Sequence, residues 1–170
     1  IMVTVGGLDP ITVTVTQAGA LPSLSVDPAN PEVANTAGNL VLNVTSNANW
    51  TVQTEADWLT LTPSGTGDGT ITIDYQENTW AAIRTATINV TTEDLDPVVV
   101  TLIQAAAAAH LNIEPQLIQV TADAGIAQLL ISANTDWVTG TESDWVSMPA
   151  GASGNAIIQI TYEQNPAIIA

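Results

Sequence analysis

The chain repeats itself at a fixed spacing of 87 residues, and no other feature limits its fold as much. Segment 46–61, SNANWTVQTEADWLTL, lies over segment 133–148, ANTDWVTGTESDWVSM. Trp50 falls on Trp137, Trp58 on Trp145 and Tyr75 on Tyr162. Residues 24–83 align with 111–170 without a gap, and 17 of those 60 positions are identical. Self-similarity at one period marks a chain built from a single unit used more than once. The opening segment, IMVTVGGLDPITVTVTQ at 1–17, obeys the same offset and lies over INVTTEDLDPVVVTLIQ at 88–104. Leu8-Asp9-Pro10 then sits on Leu95-Asp96-Pro97, and Gln17 on Gln104. Residues 1–17 therefore read as the closing hairpin of a repeat, and 111–170 as a repeat without that hairpin. The chain begins with Ile and with the piece that its end lacks, so it reads as a processed or excised segment.

Within one repeat the apolar residues alternate with period 2. Leu40, Leu42 and Val44 interleave with Val41, Asn43 and Thr45; Ile71, Ile73 and Tyr75 with Thr70, Thr72 and Asp74; Ala86, Ile88 and Val90 with Thr85, Thr87 and Asn89. That is the pattern of half-buried strands, and β-branched residues fill the pleated surface well. Turn-forming clusters separate the runs at 28–31, 37–39, 46–49, 63–69 and 93–97. Strands are expected near 24–27, 32–35, 40–45, 50–53, 59–62, 70–75, 85–91 and 97–104. No amphipathic helix longer than a turn or two is expected. Many short strands with regular turns define an all-β fold of tandem immunoglobulin-like antiparallel β-sandwiches. The expected organisation is a closing hairpin at 1–17, a linker at 18–23, a complete sandwich at 24–104, a linker at 105–110 and an incomplete sandwich at 111–170. The last of these lacks its final two strands.

Composition narrows the partners. Charged residues make up 11% of the chain, with one Lys or Arg (Arg84) against 17 acidic residues and a net charge of −16. Nucleic acids and anionic membranes are held by clustered cations, which this chain does not have. No apolar run reaches the roughly 18 residues of a membrane span, so membrane insertion is not expected. Cysteine is absent, which excludes disulfides and thiolate metal sites. The scarcity of Lys and Arg leaves little for basic-specific proteases to cut, which suits an extracellular or cell-surface protein.

The order LSVDP … LVLNVTSNANWTVQTEADWLTLTPSGTGDGTITIDYQEN … IRTATINVTTEDLDPVVVTLIQA resembles the BACON-type domain, a bacterial immunoglobulin-like β-sandwich repeat. The resemblance is carried by Leu24–Pro28, Asn49-Trp50-Thr51, Asp57-Trp58-Leu59, Gly69–Tyr75, Arg84–Thr87 and Gln104. In the second copy it is carried by Leu111–Pro115, Asp136-Trp137, Asp144-Trp145 and Ile158–Tyr162. It implies a secreted or surface protein of bacteria, often beside glycosidases, and its family name proposes carbohydrate binding. A ligand still has to be argued from a site, since a fold does not specify one.

The residues divide into structural and contact candidates. Trp50, Trp58, Trp137 and Trp145 recur in register and are expected in the sandwich cores, where immunoglobulin-like folds keep a Trp. Trp80 falls in a turn, ENTWAAI, and its counterpart is Ala167; this unrepeated aromatic is the candidate for carbohydrate or a neighbouring subunit. Val99, Ile103 and Leu130 should point outward, as candidates for lateral contact. Glu93, Asp94 and Asp96 crowd one turn at a spacing that matches no calcium loop. The lone His110 cannot assemble a metal site or a catalytic triad. No enzyme activity, cofactor or metal is therefore expected.

The leading expectation is a structural one. The chain would be a subunit or segment of an extracellular bacterial filament or surface stalk. Ile1, Val3, Val5, Ile11, Val13 and Val15 of one copy would complete the sandwich at 111–170 of the next, head to tail. In a longer chain, adjacent repeats would make the same joint. The alternatives are a carbohydrate-binding accessory module with a polysaccharide partner, and a passive spacer.

Overall fold

The computed structural model describes residues 1–167, and the last three positions of the expected 111–170 sandwich lie outside the described residues. Every regular element among them is a strand. The first two, β1 (Met2–Val3) and β2 (Ile11–Thr12), pair only with each other.

Nine strands follow in the first repeat. They are β3 (Leu24–Asp27), β4 (Glu32–Val33), β5 (Gly38–Ser46), β6 (Asn49–Thr54), β7 (Leu59–Leu61), β8 (Ser64–Thr66), β9 (Gly69–Tyr75), β10 (Arg84–Thr91) and β11 (Val98–Gln104). They form two sheets, in the orders β3-β5-β9-β7 and β4-β11-β10-β6-β8. The alternation seen in the sequence becomes the inner face. Leu42, Val44, Ile71 and Ile73 of one sheet meet Trp50, Val52, Ile88, Val90, Val100 and Leu102 of the other in a single buried cluster. Burying each such side chain contributes about 1.5–3 kcal/mol.

Two features depart from the expected strands. Ser64–Thr66, expected within a turn, is a strand antiparallel to β6. Gly65 permits it, because a Cβ there would overlap the Trp50 ring. The pairing of β4 with β11 is parallel, through Ile103 opposite Glu32 and Gln104 opposite Val33; the sandwich is otherwise antiparallel.

The second repeat contains β12 (Leu111–Glu114), β13 (Gly125–Ala133), β14 (Asp136–Val138), β15 (Val146–Ser147), β16 (Gly151–Ser153) and β17 (Ala156–Tyr162). Its four-stranded sheet, β12-β13-β17-β15, reproduces the order β3-β5-β9-β7. The register is the same too: Gly125 pairs with Tyr162 as Gly38 pairs with Tyr75. The facing sheet contains only β14 and β16, the counterparts of β6 and β8. Among the described residues, no strand stands where β10, β11 and β4 stand in the first repeat. Its buried core is correspondingly small: Ile131, Ala133, Trp137 and Ile158.

Candidate functional site

Three features outside the cores could serve a function: the free hairpin, the open face of the second repeat, and the joint between the repeats. The hairpin pairs Met2 with Thr12 and Val3 with Ile11. In the complete repeat, Asn89 pairs with Val99 and Val90 with Val98. Each of these pairs differs from its hairpin counterpart by the same 87 positions, so the hairpin holds the register of β10–β11 without a sheet to pack on. Ile1, Val3, Val5, Ile11, Val13 and Val15 are all exposed. Val5 lies at the position of Thr92, outside the β10 core run.

The complete repeat shows what such a pair of strands covers. Gln104, at the end of β11, is 0% exposed. Its Nε2 donates to the carbonyls of Ala34, Asn35 and Gln76 at 3.1, 3.2 and 3.0 Å. Its Oε1 accepts from Arg84 Nε at 2.7 Å. A second Arg84 nitrogen donates to the Gln76 carbonyl, 2.7 Å away. The guanidinium itself lies 4.1 Å from the Trp58 ring centroid, a distance at which a cation is attracted by the ring face. Partial burial pulls Arg84 below its ordinary pKa, and nearby Asp57 opposes that shift. The amides of Thr101, Ile103 and Ala105 bond the carbonyls of Ala29, Pro31 and Val33, each at 3.0 Å.

In the second repeat these same positions line open space. A groove of 620 Å³ is bounded by Val120, Ala122, Trp145, Tyr162, Glu163 and Asn165, among others. Subtracting 87 turns these into Val33, Asn35, Trp58, Tyr75, Gln76 and Asn78, the surroundings of Gln104 and Arg84. A second groove, of 540 Å³, exposes Ile118, Leu129 and Ile160. Trp50, Trp58 and Trp137 are buried, but Trp145 is 49% exposed against 9% for Trp58. The expectation that Trp145 is a core residue is corrected here: its ring has the right sheet beneath it and, among the described residues, no counterpart of the Arg84–Gln104 pair above it.

The outward-facing residues are less uniform than expected. Val99 and Leu130 are exposed, while Ile103 is half-buried beside β4. Glu93, Asp94 and Asp96 lie on an exposed turn. Among the described residues, no group of three or more His, Cys, Asp or Glu is placed to hold a metal ion. No helix is long and apolar enough to cross a membrane.

Trp80 sits at the joint. It is 46% exposed, and the rest of its ring lies on Gly154, where an added Cβ would come within 3.2 Å of the indole. Its carbonyl accepts from Ala107 N at 2.8 Å, and the next amide, Ala81 N, donates to the Asn134 carbonyl at 2.9 Å. The turn is shaped by buried Asn78, whose Oδ1 accepts from Trp80 N at 3.2 Å and whose Nδ2 donates to Ala82 and Ala105. Asn134 spans the joint: Nδ2 donates to Thr79 O at 3.0 Å and Ala108 O at 2.9 Å, and Oδ1 accepts from His110 N at 2.9 Å. Sequence reasoning singled out Trp80 and missed both asparagines. Their signal was present, since Asn78 recurs as Asn165 and Asn47 as Asn134.

Comparison with known proteins places the fold in a family. The model described as "Viral BACON domain" matches residues 23–107, half of the chain, and the chain belongs to that family. A search of curated protein sequences finds no match. Among solved structures, a Bacteroides ovatus GH5 xyloglucanase in complex with a XXXG heptasaccharide is similar at 21% identity and a TM-score of 0.48, over 51% of this chain and 19% of that one. The Yersinia pseudotuberculosis adhesin InvE is similar at 14% identity and a TM-score of 0.44, over 83% of this chain and 51% of that one. WR4, a C. elegans MSP family member, is similar at 19% identity and a TM-score of 0.35, over 49% and 97% respectively. The chain thus spans about a fifth of the xyloglucanase and half of the adhesin.

Proposed function

We propose that this chain is a non-catalytic structural subunit or segment of an extracellular filament or surface stalk, joined head to tail by its hairpin. Hairpin 1–17 of one copy completes the sandwich at 111–170 of a neighbour. The observation that carries this reading is the 620 Å³ groove around Trp145, which is the Gln104 socket of the complete repeat without its glutamine. Gln17 is the glutamine the hairpin brings to it. Ile1, Val3, Ile11, Val13 and Val15 then take the inward positions held in the first repeat by Ile88, Val90, Val98, Val100 and Leu102. The amides of Thr14, Thr16 and Ala18 meet the carbonyls of Gln116, Ile118 and Val120. Adding strands to an incomplete sheet is an established mode of recognition, and a head-to-tail contact that does not close on itself gives a filament.

The test uses the absence of native cysteine. In the complete repeat Thr91 pairs with Thr51, so Thr4 of one copy should pair with Val138 of the next. The double variant Thr4→Cys/Val138→Cys should oxidise to a ladder of covalent oligomers, because facing strand residues are within disulfide reach. The control Thr4→Cys/Thr60→Cys should give no covalent ladder. Equal ladders from both variants, or none from the first, would rule out the joint.

A second reading has its own observation. The exposed indole of Trp145 lies in a groove with Tyr162, Glu163, Gln164 and Asn165, a mixture of aromatic and polar groups suited to stacking on a sugar ring. As a carbohydrate-binding module the chain would retain a glycan on an array, and Trp145→Ala would abolish that signal while Trp80→Ala would not.

A further inference from the structure

We propose that the end of the first sandwich around Asn47 and Gly67 is a receiving surface for the Asn165–Ala167 loop of another copy of this chain. The identity of the occupant rests on the head-to-tail reading; the surface itself does not. Its construction is known from the second repeat, where the same surface is already occupied.

The two ends are built alike. Asn47 Nδ2 donates to Leu21 O at 2.8 Å and its Oδ1 accepts from Ser23 N at 2.8 Å, as Asn134 does with Ala108 and His110. Gly67 N donates to Ala48 O at 3.0 Å, and Gly154 N to Thr135 O at 3.1 Å. The buried indoles beneath donate to these glycines, Trp50 to Gly67 O at 2.9 Å and Trp137 to Gly154 O at 2.7 Å. Asp68 accepts from Ser46 N at 2.9 Å, and Asn155 from Ala133 N at 3.0 Å. Gly67 and Gly154 have φ angles of 65° and 66°, the left-handed region that glycine enters without strain.

The difference is what lies on top. On the second repeat, Asn134 also holds Thr79 and Ala81 of the preceding sandwich, and the Trp80 ring covers a buried Gly154. On the first repeat, nothing among the described residues takes the place of Thr79, Trp80 or Ala81. Asn47 is exposed. A Cβ on Gly67 would meet only the Ser46 carbonyl at 3.8 Å, the counterpart of the Ala133 carbonyl found 3.8 Å from Gly154.

The fitting occupant is a loop shaped like 78–81, and the chain carries a second one. Asn165 N donates to Ala122 O at 2.8 Å as Asn78 N does to Asn35 O at 2.7 Å. Asn165 Oδ1 accepts from Ala167 N at 3.1 Å as Asn78 Oδ1 does from Trp80 N at 3.2 Å. The turn is therefore preformed, and Pro166 O takes the place of Thr79 O. The indole is missing, because Ala167 stands where Trp80 does. The junction between copies thus repeats the contact of Thr79 O with Asn134, as Pro166 O with Asn47, while leaving its apolar saddle at Gly67 unfilled, so it is the weaker of the two.

The experiment restores the indole. Self-association of the full chain is measured by sedimentation equilibrium for the native protein, Ala167→Trp, and Ala167→Trp/Gly67→Asn. Asparagine tolerates the left-handed backbone and fills the saddle. Thermal unfolding of each variant checks that the fold is retained. Ala167→Trp should tighten association by about tenfold or more, as a buried interface Trp does, and Gly67→Asn should remove that gain. No gain from the Trp, or a gain that Gly67→Asn leaves intact, overturns the proposal. The cysteine ladder separates the two readings. A ladder without a tryptophan effect leaves strand donation standing and removes this surface. A tryptophan effect without a ladder keeps the surface and removes strand donation.

Discussion

At Trp58 one face of the indole is closed by the Arg84 guanidinium, 4.1 Å from the ring centroid, and Gln104 locks that guanidinium in place. Trp145 occupies the same position in the second repeat without either partner. The two residues should therefore respond differently to the same substitution. Trp58→Ala leaves a cavity and should cost the first repeat about 3–5 kcal/mol. Trp145→Ala removes a half-exposed ring and should cost about 1 kcal/mol or less in the isolated chain. Urea unfolding of the two variants at low protein concentration checks this, and comparable losses would mean that Arg84 and Gln104 are not what protects Trp58. The sequence paired these tryptophans correctly at an offset of 87 but assigned both to cores. Register can be read from one chain because it is a property of that chain. Burial depends also on what covers the residue, and among the described residues no strands cover the second repeat as β10 and β11 cover the first.

At the level of elements, period-2 alternation was sufficient to place β5, β9, β10 and β11, whose inner residues are the fully buried Leu42, Ile71, Ile73, Ile88, Val90, Val100 and Leu102. It failed at β8, where Ser64-Gly65-Thr66 carries no apolar residue to alternate. That strand lies against the large Trp50 ring on β6, where Gly65 leaves room for the indole and its counterpart in the second repeat is the small Ala152 opposite Trp137, so a small residue is all that the pairing leaves in the sequence. The parallel β4–β11 pair was hidden for a related reason. Its two residues, Glu32 and Val33, are held by the end of a strand some 70 positions away. The hairpin was legible as a hairpin because β1 and β2 inherit the register of β10 and β11. A two-stranded ribbon has no face on which to bury both of its apolar sides and is marginal by itself in water. On the proposed reading, the exposed Ile11, Val13 and Val15 gain stability by packing on the open sheet of a second repeat.

Across the whole molecule, the joint at Asn134 decides whether two sandwiches behave as beads on a string or as a rod. Interfaces between domains of one chain generally permit relative motion unless they are large. Here the contact is small but specific: one asparagine side chain of the second repeat bonds the turn of the first repeat and two positions of the linker. Residues 105–110 were expected only to be a linker, and nothing in their alanine-rich sequence marks them as fastened. The fastening comes from Asn78 and Asn134, which look like ordinary turn residues until both sandwiches are in place. With a net charge of −16 and few cations to offset it, the two repeats repel each other, so orientation depends on these bonds rather than on ion pairs. Asn134→Ala should remove the three side-chain bonds and weaken the joint by about 1–3 kcal/mol. It should leave the cores intact, since Ile131, Trp137 and Ile158 do not depend on that amide. Small-angle scattering should then show a broader distribution of inter-repeat distances, and hydrogen exchange should quicken at Ala107, Ala81 and His110 while β10 and β13 stay protected. Unchanged scattering with unchanged exchange at those amides would show that the ring of Trp80 on Gly154, and not the asparagine, sets the angle between the repeats.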